Sequence, residues 1–160
     1  MRLSGSGLRL LMALVSTAAL SLASYLVPLE DYVALIPVSA WKGFSWYPYW
    51  RVAFVNSLLW IFSALGYVAG LESLIYLMST TSVAFTAFHY LSLYQVVRYG
   101  VKVSFMPFLL LEGPHLDVHL DLGQLIPVLT LITIVLRLRR GRTRAEEPTS
   151  GRTPHTPLST

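Results

Sequence analysis

The strongest constraint on this chain is a set of long apolar runs almost free of charge. Residues 8–27, 52–69 and 73–97 each reach about the 17–25 residues that a helix needs to cross a ~30 Å hydrocarbon core. A fourth run, 114–138, has the same length and carries its polar side chains at its start. Charged residues make up only 12% of the chain, against 54% apolar. Soluble domains carry roughly 25% charge, so too few polar groups are present to cover a water-facing surface. The sequence predicts an all-α fold, a polytopic membrane bundle of four transmembrane helices.

Breaks between the runs are well marked. Gly70-Leu71-Glu72 makes a tight turn, and Arg98, Tyr99, Gly100 and Lys102 close the third run. Residues 103–111 are apolar but contain Pro107 and would reach only ~14 Å as a helix, which predicts a re-entrant or interfacial piece. Gly113-Pro114 reads as the start of the last helix, because proline at the first helical position forfeits no bond; Pro127 should loosen it further on. The first run has a rival reading as a signal peptide, with Ser21-Leu22-Ala23 as a small-x-small cleavage site. Its length favours a crossing.

The formal net charge of +4 is unevenly placed. Arg137, Arg139, Arg140, Arg142, Arg144 and Arg152 lie near one end, and Arg2 and Arg9 near the other. Basic residues flanking apolar helices favour the cytoplasmic side. Four crossings then put both termini in the cytoplasm, as expected for a multi-pass protein of the cell membrane. The partners expected are the lipid bilayer and a membrane protein, and nucleic acid is not among them, since the arginines border an apolar run. Residues 139–160, basic and then rich in Pro, Ser and Thr, read as a disordered tail. The chain has no cysteine, which excludes disulfides, thiolate metal sites and cysteine nucleophiles.

Residues 28–51 hold Trp41, Trp46 and Trp50 among tyrosines and prolines. Tryptophan and tyrosine favour the membrane–water boundary, so this loop reads as an interfacial platform on the non-cytoplasmic face. The densest cluster of chemistry-bearing residues is His115-Leu116-Asp117-Val118-His119-Leu120-Asp121. His115, Asp117 and His119 are candidate ligands for a divalent metal such as zinc. On a helix the two histidines share one face and the two aspartates, with Gln124, another; only an extended segment would bring all four together. The plainer reading is a solvated helix start, where carboxylates favour the positive end of the dipole.

His89, inside the third run, is a candidate binding or proton-linked residue, because ionisable groups in a membrane usually carry function. A neutral histidine bonded across helices would satisfy the same observation. Asn56 should bond a neighbouring helix, and the hydroxyls of residues 79–82 should act as packing contacts.

Tyr49-Trp50-Arg51, the following apolar helix with Asn56, then Gly66, Gly70, Leu71 and Glu72, resemble the rhomboid-like membrane fold. His119-Leu120-Asp121-Leu122-Gly123 is similar to the histidine-and-glycine start of the last rhomboid helix. The chain departs from the proteases: it has no Gly-x-Ser-Gly motif and no histidines just after Trp50-Arg51, and it is too short between Glu72 and His119 for three full helices. The resemblance therefore implies a non-proteolytic relative that binds membrane clients. Together these features point to a non-enzymatic interaction or accessory subunit, with Trp50, Arg51, Asn56, His89, Asp121 and Gln124 as candidate ligand- or client-binding residues. A metal-dependent membrane enzyme using His115, Asp117 and His119 is one alternative. A small proton-coupled transporter using His89, Asp117 and Asp121 is the other.

Overall fold

A computed structural model describes residues 5–28, 43–112 and 117–145. Its helices are α1 (Gly5–Leu26), α2 (Tyr47–Val68), α3 (Leu74–Arg98) and α4 (Leu122–Ala145). Strands β1 (Val103–Met106), β2 (Leu109–Glu112) and β3 (Asp117–Leu120) form a small antiparallel sheet between α3 and α4. Among the described residues four helices are long and apolar enough to cross a membrane, the last of them over Leu122–Arg139. The fold is thus the expected helical bundle. Most large apolar side chains on its helices point outward, among them Phe62, Leu65, Val83, Leu131 and Leu138. Such a surface suits lipid rather than water.

The helix ends follow from local chemistry. Helix α2 begins at Tyr47, five residues before the apolar run suggested, with Pro48 in its first turn. It ends at Gly70, whose φ of +100° is open to glycine at little cost. There the Leu71 N–H bonds the Gly66 carbonyl at 3.0 Å and the Gly70 N–H bonds that of Tyr67 at 3.0 Å, closing the last turn. Gly100, at φ +85°, ends α3 in a similar way.

The last helix corrects the sequence reading. It starts at Leu122 and not near residue 114, because residues 117–120 form a strand paired with β2. The alternation of apolar and polar residues there has the period of a strand, and Asp121 is the better helix start. Glu112 sits opposite Asp117, Leu110 opposite His119, and Leu109 opposite Leu120. Val103 to Met106 pair in the same antiparallel sense with Glu112 to Leu109. The segment expected to be re-entrant or interfacial is therefore a hairpin, β1–β2. Helix α4 continues through its arginines to Ala145, so residues 139–145, expected to begin the disordered tail, are helical, while the rest of that tail, 146–160, lies outside the described residues.

The buried apolar cluster draws on α2, α3 and α4. Ala53, Phe85 and Ile126 form the core, flanked by Trp60 and Phe88. The Trp60 indole N–H donates to Thr130 Oγ1 at 2.8 Å, joining α2 to α4. Hydroxyls and one amide join α1 to the rest: Thr17 and Thr80 bond at 2.8 Å, and Asn56 Nδ2 donates to Ser21 Oγ at 2.9 Å. Apolar contact gives helices in lipid little preference for one another, so such bonds and close small-residue contacts select the arrangement.

Candidate functional site

The site is built around Asp121, which is fully buried at the start of α4. Its position before Leu122 makes it the N-cap, and its Oδ1 accepts the Gly123 backbone N–H at 2.8 Å. Its Oδ2 accepts the Tyr90 hydroxyl at 3.0 Å and the Gln124 side-chain amide at 2.8 Å. His89 Nε2 stands 3.4 Å from Oδ1 and completes the shell. Groups from two helices thus converge on one carboxylate.

Gln124 extends the cluster to the sheet. Its Nε2 also donates to the Met106 carbonyl at 3.1 Å, and its Oε1 accepts the Phe108 N–H at 3.1 Å. The Asp121 N–H donates to the Phe108 carbonyl at 2.9 Å. These three bonds hold the Pro107-Phe108 turn, where Phe108 has a φ of +62°, uncommon for a bulky residue. One face of the cluster therefore caps a helix and the other fixes a strained hairpin.

Gly123 is what allows α4 to approach α3 so closely. A Cβ there would fall 2.6 Å from His89 Cδ2 and 2.9 Å from both Tyr90 Cζ and Asp121 Oδ1. Gly123→Ala is expected to push α4 away from α3 and lower stability by about 1–3 kcal/mol. The loss is read as a fall in the thermal midpoint of the detergent-purified protein; an unchanged midpoint would mean the contact is loose.

Of the sequence-derived candidates, His89, Asp121 and Gln124 come together here, with Gly123, noted only as part of the rhomboid-like helix start, and Tyr90, which sequence reasoning did not single out. A signal for the helix start at Asp121 was available: Asp121 followed at the third position by Gln124 resembles a helix-start pattern. Asp117 and His119 lie exposed on β3, on one face of an extended strand. His115 lies outside the described residues. Among the described residues no three histidine, aspartate or glutamate side chains gather closely enough to hold a metal ion.

Arg51 and Asn56 lie elsewhere, against α1. Arg51 is buried and donates to the Ser24 carbonyl from Nε at 2.5 Å and to the Tyr25 carbonyl from Nη2 at 2.6 Å. Its guanidinium also lies 5.8 Å from the Tyr47 ring centroid. Trp50 belongs to a run of stacked rings, 5.5 Å from Phe54 and 6.0 Å from Tyr47. Phe44 continues it towards Tyr99 at 5.7 Å, linking the starts of α2 and the end of α3. Trp41 and the rest of the aromatic loop, 29–42, lie outside the described residues.

A second feature was absent from the sequence reading. Between α1 and α3 runs an open groove of about 840 Å3, with Leu14, Thr17, Ala18, Val83, Ala84 and Ala87 among its walls. Its hydroxyls turn inward: Thr17 bonds Thr80, and Ser79 donates to its own Ile75 carbonyl at 2.7 Å. The surface left to an occupant is apolar and shaped by small side chains.

Fold and site together define a small four-helix bundle with membrane-length helices and a polar clamp at one helix start. No protein-family model, no curated protein and no solved structure matches the chain.

Proposed function

We propose that this protein is a non-enzymatic interaction or accessory subunit of the cell membrane that holds the transmembrane helix of a partner protein in the α1–α3 groove. The observation that carries this reading is the groove's depth. Its α3 wall extends from Ser79 to Phe88. Counted from the start of α3, that is about 8–21 Å along the helix, straddling the midplane of a ~30 Å core. A phospholipid chain from either leaflet ends near the midplane, whereas a helix crosses it. Ala84 and Ala87 let a second backbone approach closely, as membrane helix pairs require.

The arginine distribution supports an orientation with both termini cytoplasmic, which sets the Asp121 cluster and the aromatic rings on the non-cytoplasmic side. Kinship with non-proteolytic rhomboid-like client binders is the finer form of the same reading. It draws support from Trp50-Arg51 at the start of α2 and from the lack of a Gly-x-Ser-Gly nucleophile.

A photo-activatable side chain at Val83 tests the proposal in native membranes. It is expected to give one discrete protein adduct that disappears when Ala87→Leu fills the groove. Adducts to lipid alone would sink the idea. So would hydrolase activity of the purified protein that is lost on His119→Ala, since a catalyst would then lie outside the groove.

A further inference from the structure

We propose that the three-stranded sheet is seated in the bilayer, its outward face bound to the acyl chains of the leaflet nearer the end of α3. Three observations, independent of the groove, carry this.

The first is the chemistry of the two sheet faces. The register places Met106, Leu109 and Leu120 side by side on one face, with Leu111 and Val118 beside them. Ser104 is the only polar side chain among those six paired positions. The opposite face holds Leu110, buried against the bundle, Phe105, 5.8 Å from Tyr90, and the exposed Asp117 and His119 of β3. An antiparallel sheet with one face on a core normally turns polar residues to water. Here the outward face is apolar, with Val118 62% exposed and Leu120 56% exposed.

The second is depth. The Glu72–Arg137 ion pair, at 3.4 Å, marks the polar end of the bundle where α3 begins and α4 leaves its apolar stretch. From the start of α3 to His89, or from Arg137 back to Gly123 along α4, is about 21–23 Å at 1.5 Å per residue. The hairpin turn fixed to Gln124 and Asp121 lies at that level. It falls about 7–9 Å short of the far boundary of a ~30 Å core. Arg98, Tyr99 and Lys102 lie beyond that boundary, so the chain leaves the core after α3 and the hairpin turns back into it.

The third is the treatment of the backbone. Non-helical chain at membrane depth persists only where protein satisfies its polar groups. The Met106 carbonyl and the Phe108 N–H and carbonyl are taken up by Gln124 and the Asp121 N–H. Among the described residues the outer edges of β1 and β3 have no such partner strand in the sheet, which confines the sheet to the outer part of the leaflet where headgroup water reaches. A depth of about 5–10 Å is also that of interfacial amphipathic segments. Leu91 and Tyr94 of α3 and Leu122 of α4 are exposed as well.

The chain lacks cysteine, so single cysteines can report on each face. Val118→Cys, Leu120→Cys and Lys102→Cys would be labelled with an environment-sensitive nitrobenzoxadiazole dye and reconstituted into phosphatidylcholine vesicles. At residues 118 and 120 the emission is expected to shift to the blue. It should be quenched several-fold more by lipids doxyl-labelled high on the acyl chain than by aqueous iodide, with the reverse at residue 102. Iodide quenching at 118 equal to that at 102 would place the sheet in water and overturn the proposal. Shielding from both quenchers would overturn it too, because protein would then cover the face. Monodispersity in detergent shows which labelled variants are folded, and either of the two strand positions suffices for the reading.

Discussion

Replacing Asp121 by alanine is expected to lower stability by about 3–5 kcal/mol, the usual loss when one member of a buried charged cluster is removed. The Gly123 N–H, the Tyr90 hydroxyl and the Gln124 amide would each lose an acceptor in one step, and His89 its carboxylate neighbour. The donors lie in three different structural roles, so the damage should spread beyond α4. Gln124, no longer oriented by Asp121, would hold the Pro107-Phe108 turn less firmly, and the hairpin should loosen with the helix start. Asp121→Asn separates charge from geometry. It retains one acceptor oxygen for the Gly123 N–H, so the cap should survive in part while the carboxylate contact to His89 is lost. Chemical denaturation in mixed micelles, followed by helical circular dichroism, measures both variants. A structural clamp predicts wild-type > Asn > Ala in stability. If Asn were as stable as wild type and only a transport or binding activity changed, the pair of His89 and Asp121 would be functional rather than architectural.

The bundle was legible in the sequence because its signal is long. About 18 uncharged residues in a row leave a chain few options besides crossing a bilayer, and Gly70 and Gly100 announce where helices stop. The sheet was hidden for a physical reason. Leu109-Leu110-Leu111 is uniformly apolar, which suits a strand and a buried helix equally well, and Gly113-Pro114 offered a plausible helix start. The evidence against that start lay in the alternation from His115 to Asp121 and in the spacing of Asp121 and Gln124. Of the site, His89 and Asp121 were each visible as ionisable groups near apolar runs, but their pairing was not. They are 32 residues apart, and nothing in either helix alone sets the rotation that brings them together. Arg51 looked available as a binding residue because its partners are backbone carbonyls, which carry no sequence signature. The groove is further removed still, since it depends on how α1 docks and on no single helix.

Arg51 carries the second large effect, because it acts as the cap of a helix to which it does not belong. The last carbonyls of α1 have no partner within their own helix, and they form the negative end of its dipole. Arg51 supplies both the donors and the charge, from the first turns of α2, to Ser24 and Tyr25. Arg51→Met keeps the apolar stem and removes the guanidinium. It should cost about 3 kcal/mol, since hydrogen bonds to a charged group are worth roughly 1.5–3 kcal/mol each and two buried carbonyls are left bare. Arg51→Lys should recover only part of this, because an ammonium is a single point of charge and does not span two carbonyls as the planar fork does. The loss should also be local. The contacts of α2 with α3 and α4 at Ala53, Phe85 and Ile126 are untouched, so α1 is expected to detach first. Hydrogen exchange of the detergent-purified Met variant should therefore rise along α1 and stay low through α3. Uniform protection in all four helices, with an unchanged thermal midpoint, would show that α1 is held by the Thr17–Thr80 and Asn56–Ser21 bonds alone. In that event Arg51, freed from its structural duty, would return as a candidate contact for the partner helix.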